Sequence, residues 1–237
     1  MNATRKRRGC VLTIELLDAY QNAVLANARE LLDEAQLLLS GKHHARAYFL
    51  ALACIEETGK AYLAFDARGR DLSDDAVCMK VKERFEDHSS KIVSAFKAWS
   101  TSTDSSKETL RISVGLVTDI KDGRERSMHV DVDEDGTRLS VPHDVVRPAA
   151  AMDCVKLAAL CLHHTESYVK KNVPLQKTSY QDKLLNIKAS TLKSMFGTTD
   201  FWEYYVDQCN KGETDLNKAM VLYHDAYYRK KKQFADR

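Results

Sequence analysis

What most restricts this chain is how rarely its helix-forming pattern is interrupted. Only 9 glycines and 3 prolines occur in 237 residues, and the runs between them are rich in Ala, Leu, Glu, Lys and Gln, which lose little on entering a helix. The fold class read from this is all-α. Apolar residues at steps of three and four mark a first helix over about 11–40, closed by Gly41, a second over 43–67, a third over 74–100 and a fourth over 106–122. From 123 to 148 the periodicity lapses into an irregular or hairpin-like segment. A fifth helix runs from Pro148, suited to a first helical turn, to about Lys171, and three shorter helices rich in aromatic and basic residues follow Pro174. The expected organisation is a basic N-terminal extension over 1–10, a helical bundle over 11–173 and a helical C-terminal extension over 174–237.

Charge nearly cancels, with 36 Lys and Arg against 34 Asp and Glu, so any basic site must be local. Six cysteines without paired spacing fit a reducing, cytoplasmic setting, and no run of about 18 apolar residues predicts a membrane span. No metal or other cofactor is expected. The segment DVDEDG offers Asp131, Asp133, Asp135 and Gly136 of a calcium loop, but Pro142 stands where the closing glutamate belongs. The pairs His43–His44 and His163–His164 lack zinc spacing, and there is no glycine-rich phosphate loop.

Polar residues inside apolar stripes single out a site. On the second helix Ala45, Phe49, Leu52, Glu56, Gly59 and Leu63 form one stripe, and on the third Val81, Phe85, His88, Ile92, Phe96 and Trp99 form another. Each has one polar member, Glu56 and His88. Left unpartnered in an interior, either costs about 2 kcal/mol or more. The short turn near Gly69–Ser73 makes the two helices antiparallel neighbours, and both residues lie about 15–20 Å from it. Glu56 and His88 are therefore expected to meet, with Glu57, Lys60 and Lys91 around them. One at a time these residues have ordinary explanations, a solvated Glu–Lys pair and a satisfied core histidine; it is their coincidence at one level that points to a pocket. The irregular segment adds Arg124, Arg126, His129 and Asp131, including an Arg-x4-His spacing. Guanidinium groups suit phosphate, and imidazole moves protons near neutral pH.

The order ARAYFLALACIEETGKAYLAF, then FEDHSSK, then RERSMHVDVDEDG resembles the AbiV family of prokaryotic abortive infection proteins over about residues 15–172. Glu56, Glu57, Gly59 and Lys60 match its Glu-Glu-x-Gly-Lys, and Phe85, His88 and Lys91 its Phe-x-x-His-x-x-Lys. Arg126, Met128, His129, Val130 and Asp131 resemble a segment close to Arg-x-x-Leu-Tyr-Val-Asp, with one residue fewer after the Arg, His129 in place of Tyr and Met128 in place of Leu. AbiV belongs to the HEPN superfamily of helical bundles, many of them metal-independent ribonucleases that act as dimers. The resemblance implies a HEPN-like antiparallel bundle, a homodimer and cleavage of RNA, tRNA and rRNA being candidate substrates, under the control of a phage-protein trigger.

On this reading Glu56 and Glu57 orient His88, His88 and His129 move protons, and Arg124, Arg126, Lys60 and Lys91 face the phosphate. Leu12, Ile14, Leu17, Val24 and Leu25 of the first helix are expected at the dimer interface. Trp202, Tyr204, Tyr205, Tyr227, Tyr228 and the run Arg229–Lys232 either stack and pair with RNA or close an accessory core. The rival class is a non-catalytic helical module that binds a phage protein or a partner toxin.

Overall fold

A computed structural model describes residues 11–100, 127–132 and 136–228. The expected fourth helix and the basic N-terminal extension lie outside the described residues, as do Arg229–Lys232 and the side chains of Tyr227 and Tyr228. The chain divides into two compact units. One comprises Leu12–Arg68 and Val81–Pro174; the other is built from Val11, Gly69–Lys80 and the described residues from Leu175 on.

In the first unit, α1 (Ile14–Ser40) is capped by Thr13, whose hydroxyl accepts from the Leu16 amide at 3.1 Å, and it ends at Gly41. The short turn returns the chain as α2 (His44–Ala67), antiparallel to α1. Against α2 pack α1, the helix α4 described below and the last long helix of the unit. The expected stripe is buried apart from a half-buried Phe49, and so are Ala47, Ala51, Cys54, Ile55, Ala61 and Ala64 on the other faces. Small side chains all round the helix allow this, because each lets a neighbouring helix come close. Burial pushes the Cys54 and Cys154 thiols up to about 12, so both sit in the core as neutral, small apolar groups.

The third helix is not continuous. It divides into α3 (Asp75–Glu86), α4 (His88–Ala95) and α5 (Lys97–Ser100). Asp87 leaves helical geometry, with φ −77° and ψ 115°, and its carboxylate accepts from the Ser90 amide at 2.7 Å. An aspartate that can cap a new helix competes with continuation of the old one, and here capping prevails. Leu17, Val24 and Leu25, expected at a dimer interface, are buried within this chain, whereas Ile14 is exposed and Leu12 half-buried.

Beyond the undescribed stretch, β1 (Asp131–Val132) pairs antiparallel with β2 (Leu139–Ser140) in a two-stranded hairpin, with Asp131 opposite Ser140. A one-turn helix α6 (Pro142–Val145) leads to α7 (Pro148–Lys171), which lies along α2 and α1 and completes the core with Val155, Leu157 and Leu162. No described helix is long and apolar enough to cross a membrane.

The second unit contains the connection after α2 together with α8 (Ser179–Leu184), α9 (Ala189–Phe196), α10 (Thr199–Asn210) and α11 (Leu216–Tyr223). Asp182 of α8 accepts from Arg70 at 2.8 Å and from the Asp71 amide at 3.1 Å, and both side chains of the ion pair are nearly buried. Gly69 lies against the backbone of Leu175: a Cβ there would stand 2.8 Å from the Leu175 carbonyl carbon. Met195, Phe201, Met220 and Tyr223 form this unit's small core, with Tyr204 and Tyr205 packed on it. Those two tyrosines thus serve the accessory core.

In the first unit α2 and α4 come into close backbone contact at Gly59. A Cβ built on Gly59 would fall on the carbonyl oxygen of Lys91 and 2.6 Å from its carbonyl carbon. Backbone cannot yield as a flexible side chain can, so Gly59→Ala is expected to cost about 3 kcal/mol or more by forcing the helices apart. Gly197, whose φ of −79° suits any residue and whose nearest neighbours stand 3.5 Å away, serves as the control. Gly197→Ala should stay within about 0.5 kcal/mol of the parent in urea denaturation followed by circular dichroism.

Candidate functional site

Glu56 lies in the middle of α2, and its side chain is 8 % exposed. Such a carboxylate requires charge and hydrogen bonds to remain ionised in an interior. Both come from the first turn of α4. The Lys91 ammonium sits 2.6 Å from Glu56 Oε2, and His88 Nδ1 lies 2.9 Å from each carboxylate oxygen. Asp87 restarts the helix so that His88 and Lys91, three apart, fall on one face, and Gly59 lets that face reach Glu56. Glu56 and His88 do meet, as the stripes indicated.

Their burial is reversed, however. His88, expected inside, has a side chain 51 % exposed, while Lys91, expected as a flanking cation, is 7 % exposed. The break at Asp87 is the reason, since it displaces His88 from the stripe that a continuous helix would have made. A carboxylate only accepts, so Nδ1 carries the hydrogen toward Glu56, and Nε2 lies on the opposite edge of a half-exposed ring. That arrangement fixes the tautomer and leaves Nε2 able to take or give a proton at the surface. Lys91 is covered and bonded to the same carboxylate that holds the imidazole.

Glu57 and Lys60 form a second pair beside the first, with Nζ 2.5 Å from Oε1. Burial works against the Lys60 ammonium, but the hydrogen bond to Glu57 and the charges of Glu57 and Glu56 outweigh it and raise its pKa. Tyr20 of α1 is a neighbour that the stripes did not single out. Burial raises its hydroxyl pKa, opposed by the nearby Lys60 and reinforced by Glu57, and its ring lies 4.9 Å from that of Phe85. Phe85, counted as a stripe residue, is only half-buried there.

His129 is exposed, on a segment whose Met128 carbonyl accepts from Arg46 Nη1 at 3.4 Å. Arg46 precedes Glu56 by ten residues, about 15 Å along α2. Asp131 is exposed at the start of β1. Arg124 and Arg126 lie outside the described residues. Among the described residues no three of His, Cys, Asp and Glu gather in a metal-binding arrangement.

Two variants separate the roles of the polar pair. Lys91→Met leaves the Glu56 carboxylate buried without its ammonium and is expected to cost about 3–5 kcal/mol, part of it recovered in the Glu56→Gln/Lys91→Met double variant. His88→Ala, at the surface, should cost under about 1 kcal/mol; a cost equal to that of Lys91→Met in urea titrations would make the imidazole a structural residue. Phe85→Ala, truncating a half-buried ring, should cost about 1–2 kcal/mol in the same titration, less than a core phenylalanine.

No curated protein and no solved structure matches this chain. The family model HEPN_AbiV, described as AbiV, matches residues 16–163, more than half of the 237, and the match takes in α1 from its third residue, α2, α4 and the whole Glu56–His88–Lys91 cluster. The chain belongs to the AbiV family of HEPN proteins.

Proposed function

We propose that this protein is an abortive-infection factor acting as a metal-independent endoribonuclease. The observation that carries the reading is the exposed imidazole of His88 anchored through Nδ1 on a buried, lysine-paired carboxylate. Such an anchor holds the ring in one orientation, with Nδ1 toward the carboxylate and Nε2 on the opposite edge. With RNA against this face, His88 Nε2 takes the proton from a 2′-hydroxyl. The 2′-oxygen attacks the adjacent phosphorus, and the bond to the 5′-oxygen breaks as that oxygen receives a proton from a second group. His129, or the same His88 in a second copy of the chain across a two-fold interface, supplies it. Lys60, together with Arg124 and Arg126, bears on the charge of the phosphate, and Asp131 orients the His129 segment. Lys91 and Glu56 are positioning residues, and Glu57 holds Lys60. The working form is a homodimer, the substrate a cellular RNA such as tRNA or rRNA, and the trigger a phage protein.

One observation favours a non-catalytic module instead: the Glu56–Lys91 pair, with Gly59, joins α2 to α4 and has a structural use whether or not RNA binds.

Cleavage separates the two. Purified protein, with extract of phage-infected cells added where activation is needed, should cut RNA in EDTA to 2′,3′-cyclic phosphate and 5′-hydroxyl ends. His88→Ala should lower the rate by about 100-fold or more while keeping its helical spectrum. His129→Ala, Arg124→Ala and Arg126→Ala distinguish the partners in proton transfer and phosphate binding, and light scattering reports the dimer. RNA left intact while the protein still blocks phage growth would establish the module reading, and a requirement for added magnesium or manganese would defeat the metal-free mechanism.

A further inference from the structure

Helix α10 presents apolar residues on two faces. One serves its own unit: Phe201 is fully buried against Tyr223, with ring centroids 5.4 Å apart, and Tyr204 and Tyr205 pack beside it. The other carries Trp202 and Val206, one turn apart, at 44 % and 56 % exposure. Trp202 is held without being covered. Its ring stacks on the exposed Phe196 with centroids 5.7 Å apart, and its Nε1 donates to the Phe196 carbonyl at 3.0 Å. These side chains line a groove of about 700 Å³. Glu203 and Asp207, exposed and one turn apart, complete its charged lining, and among the described residues that line it there is no Lys, Arg or His.

The physical character of this surface selects its ligand. An apolar side chain laid over Trp202 and Val206 is favoured in proportion to the apolar area it removes from water. Single-stranded nucleic acid also stacks on exposed aromatics, but it brings phosphates against two carboxylates with no described cation in the lining. Cationic side chains on either side of an apolar anchor meet Glu203 and Asp207 at favourable range. We propose that the groove of α10 is a docking site for a partner polypeptide segment in which an aromatic or leucine anchor is flanked by lysine or arginine. This stands apart from the ribonuclease reading, since its residues and its assay involve neither His88 nor RNA cleavage.

The test is selection of a displayed library of random dodecapeptides on the full chain. Enrichment of peptides with an apolar anchor between basic residues is expected, with affinity falling at least about tenfold in Trp202→Ala and in the Glu203→Lys/Asp207→Lys double variant. The double variant, which alters only exposed carboxylates, should in turn select anchors flanked by acidic residues; helical spectra and melting curves check that each variant is folded. Absence of enrichment, or selected peptides whose binding survives both variants, overturns the proposal. So does fluorescein-labelled dodecauridylate whose binding is lost in Trp202→Ala, which would give the groove to RNA. A dimer that Trp202→Ala converts to monomer in sedimentation would give it to a second copy of the chain and likewise overturn the proposal.

Discussion

The ion pair between Glu56 and Lys91 places a demand on everything around it. A carboxylate in the middle of an alanine-lined helix has lost most of its hydration, and the loss is offset only if a cation comes within hydrogen-bonding distance. At 2.6 Å that cation belongs to another helix, so the two helices must approach more closely than ordinary side chains permit. Gly59, one turn from Glu56, removes the side chain that would stand between them. Asp87 starts α4 at the register in which residues 88 and 91 both face Glu56. The two short motifs, Glu-Glu-x-Gly-Lys and His-x-x-Lys, are therefore halves of one packing arrangement.

That arrangement divides two tasks between neighbouring side chains. Lys91 satisfies the carboxylate from inside, and His88 uses the same carboxylate from outside. A surface imidazole otherwise samples several rotamers and both tautomers, whereas one seated on an immobile acceptor presents a single nitrogen to solvent. The immobility comes from the α2–α4 contact. The stability of the bundle and the chemistry available at its surface thus draw on the same few atoms.

The second unit rests on a different buried pair, Arg70 with Asp182, reinforced by the Asp71 amide. It joins residues 112 apart in sequence and ties the connection after α2 to α8. This unit falls outside the family match, which ends at residue 163, apart from its segment 69–80. Its exposed aromatic surface is edged with carboxylates, and its interior consumes Phe201, Tyr204 and Tyr205, so the aromatic richness of the C-terminal sequence divides between a core and a surface of acidic character.

Local sequence determined the elements with regular apolar spacing and clear boundary residues. The all-α class, the end of α1 at Gly41, the span of α2 and the start of α7 at Pro148 follow from three- and four-residue steps, a glycine and a proline, each acting over a single turn. The meeting of Glu56 with His88 was legible because two stripes each held one polar member at the same level. Tertiary structure decided the rest. Periodicity names a face without saying how many neighbours cover it, so a stripe on α2 gave no sign of a helix enclosed by three others. It cannot weigh a capping aspartate against one more helical turn, so the break at Asp87, and with it the exchange of burial between His88 and Lys91, depended on packing against α2. Tyr20 beside Lys60, and Arg70 on Asp182, join residues dozens of positions apart and left no local trace, because the charge each side chain meets exists only after the chain has folded.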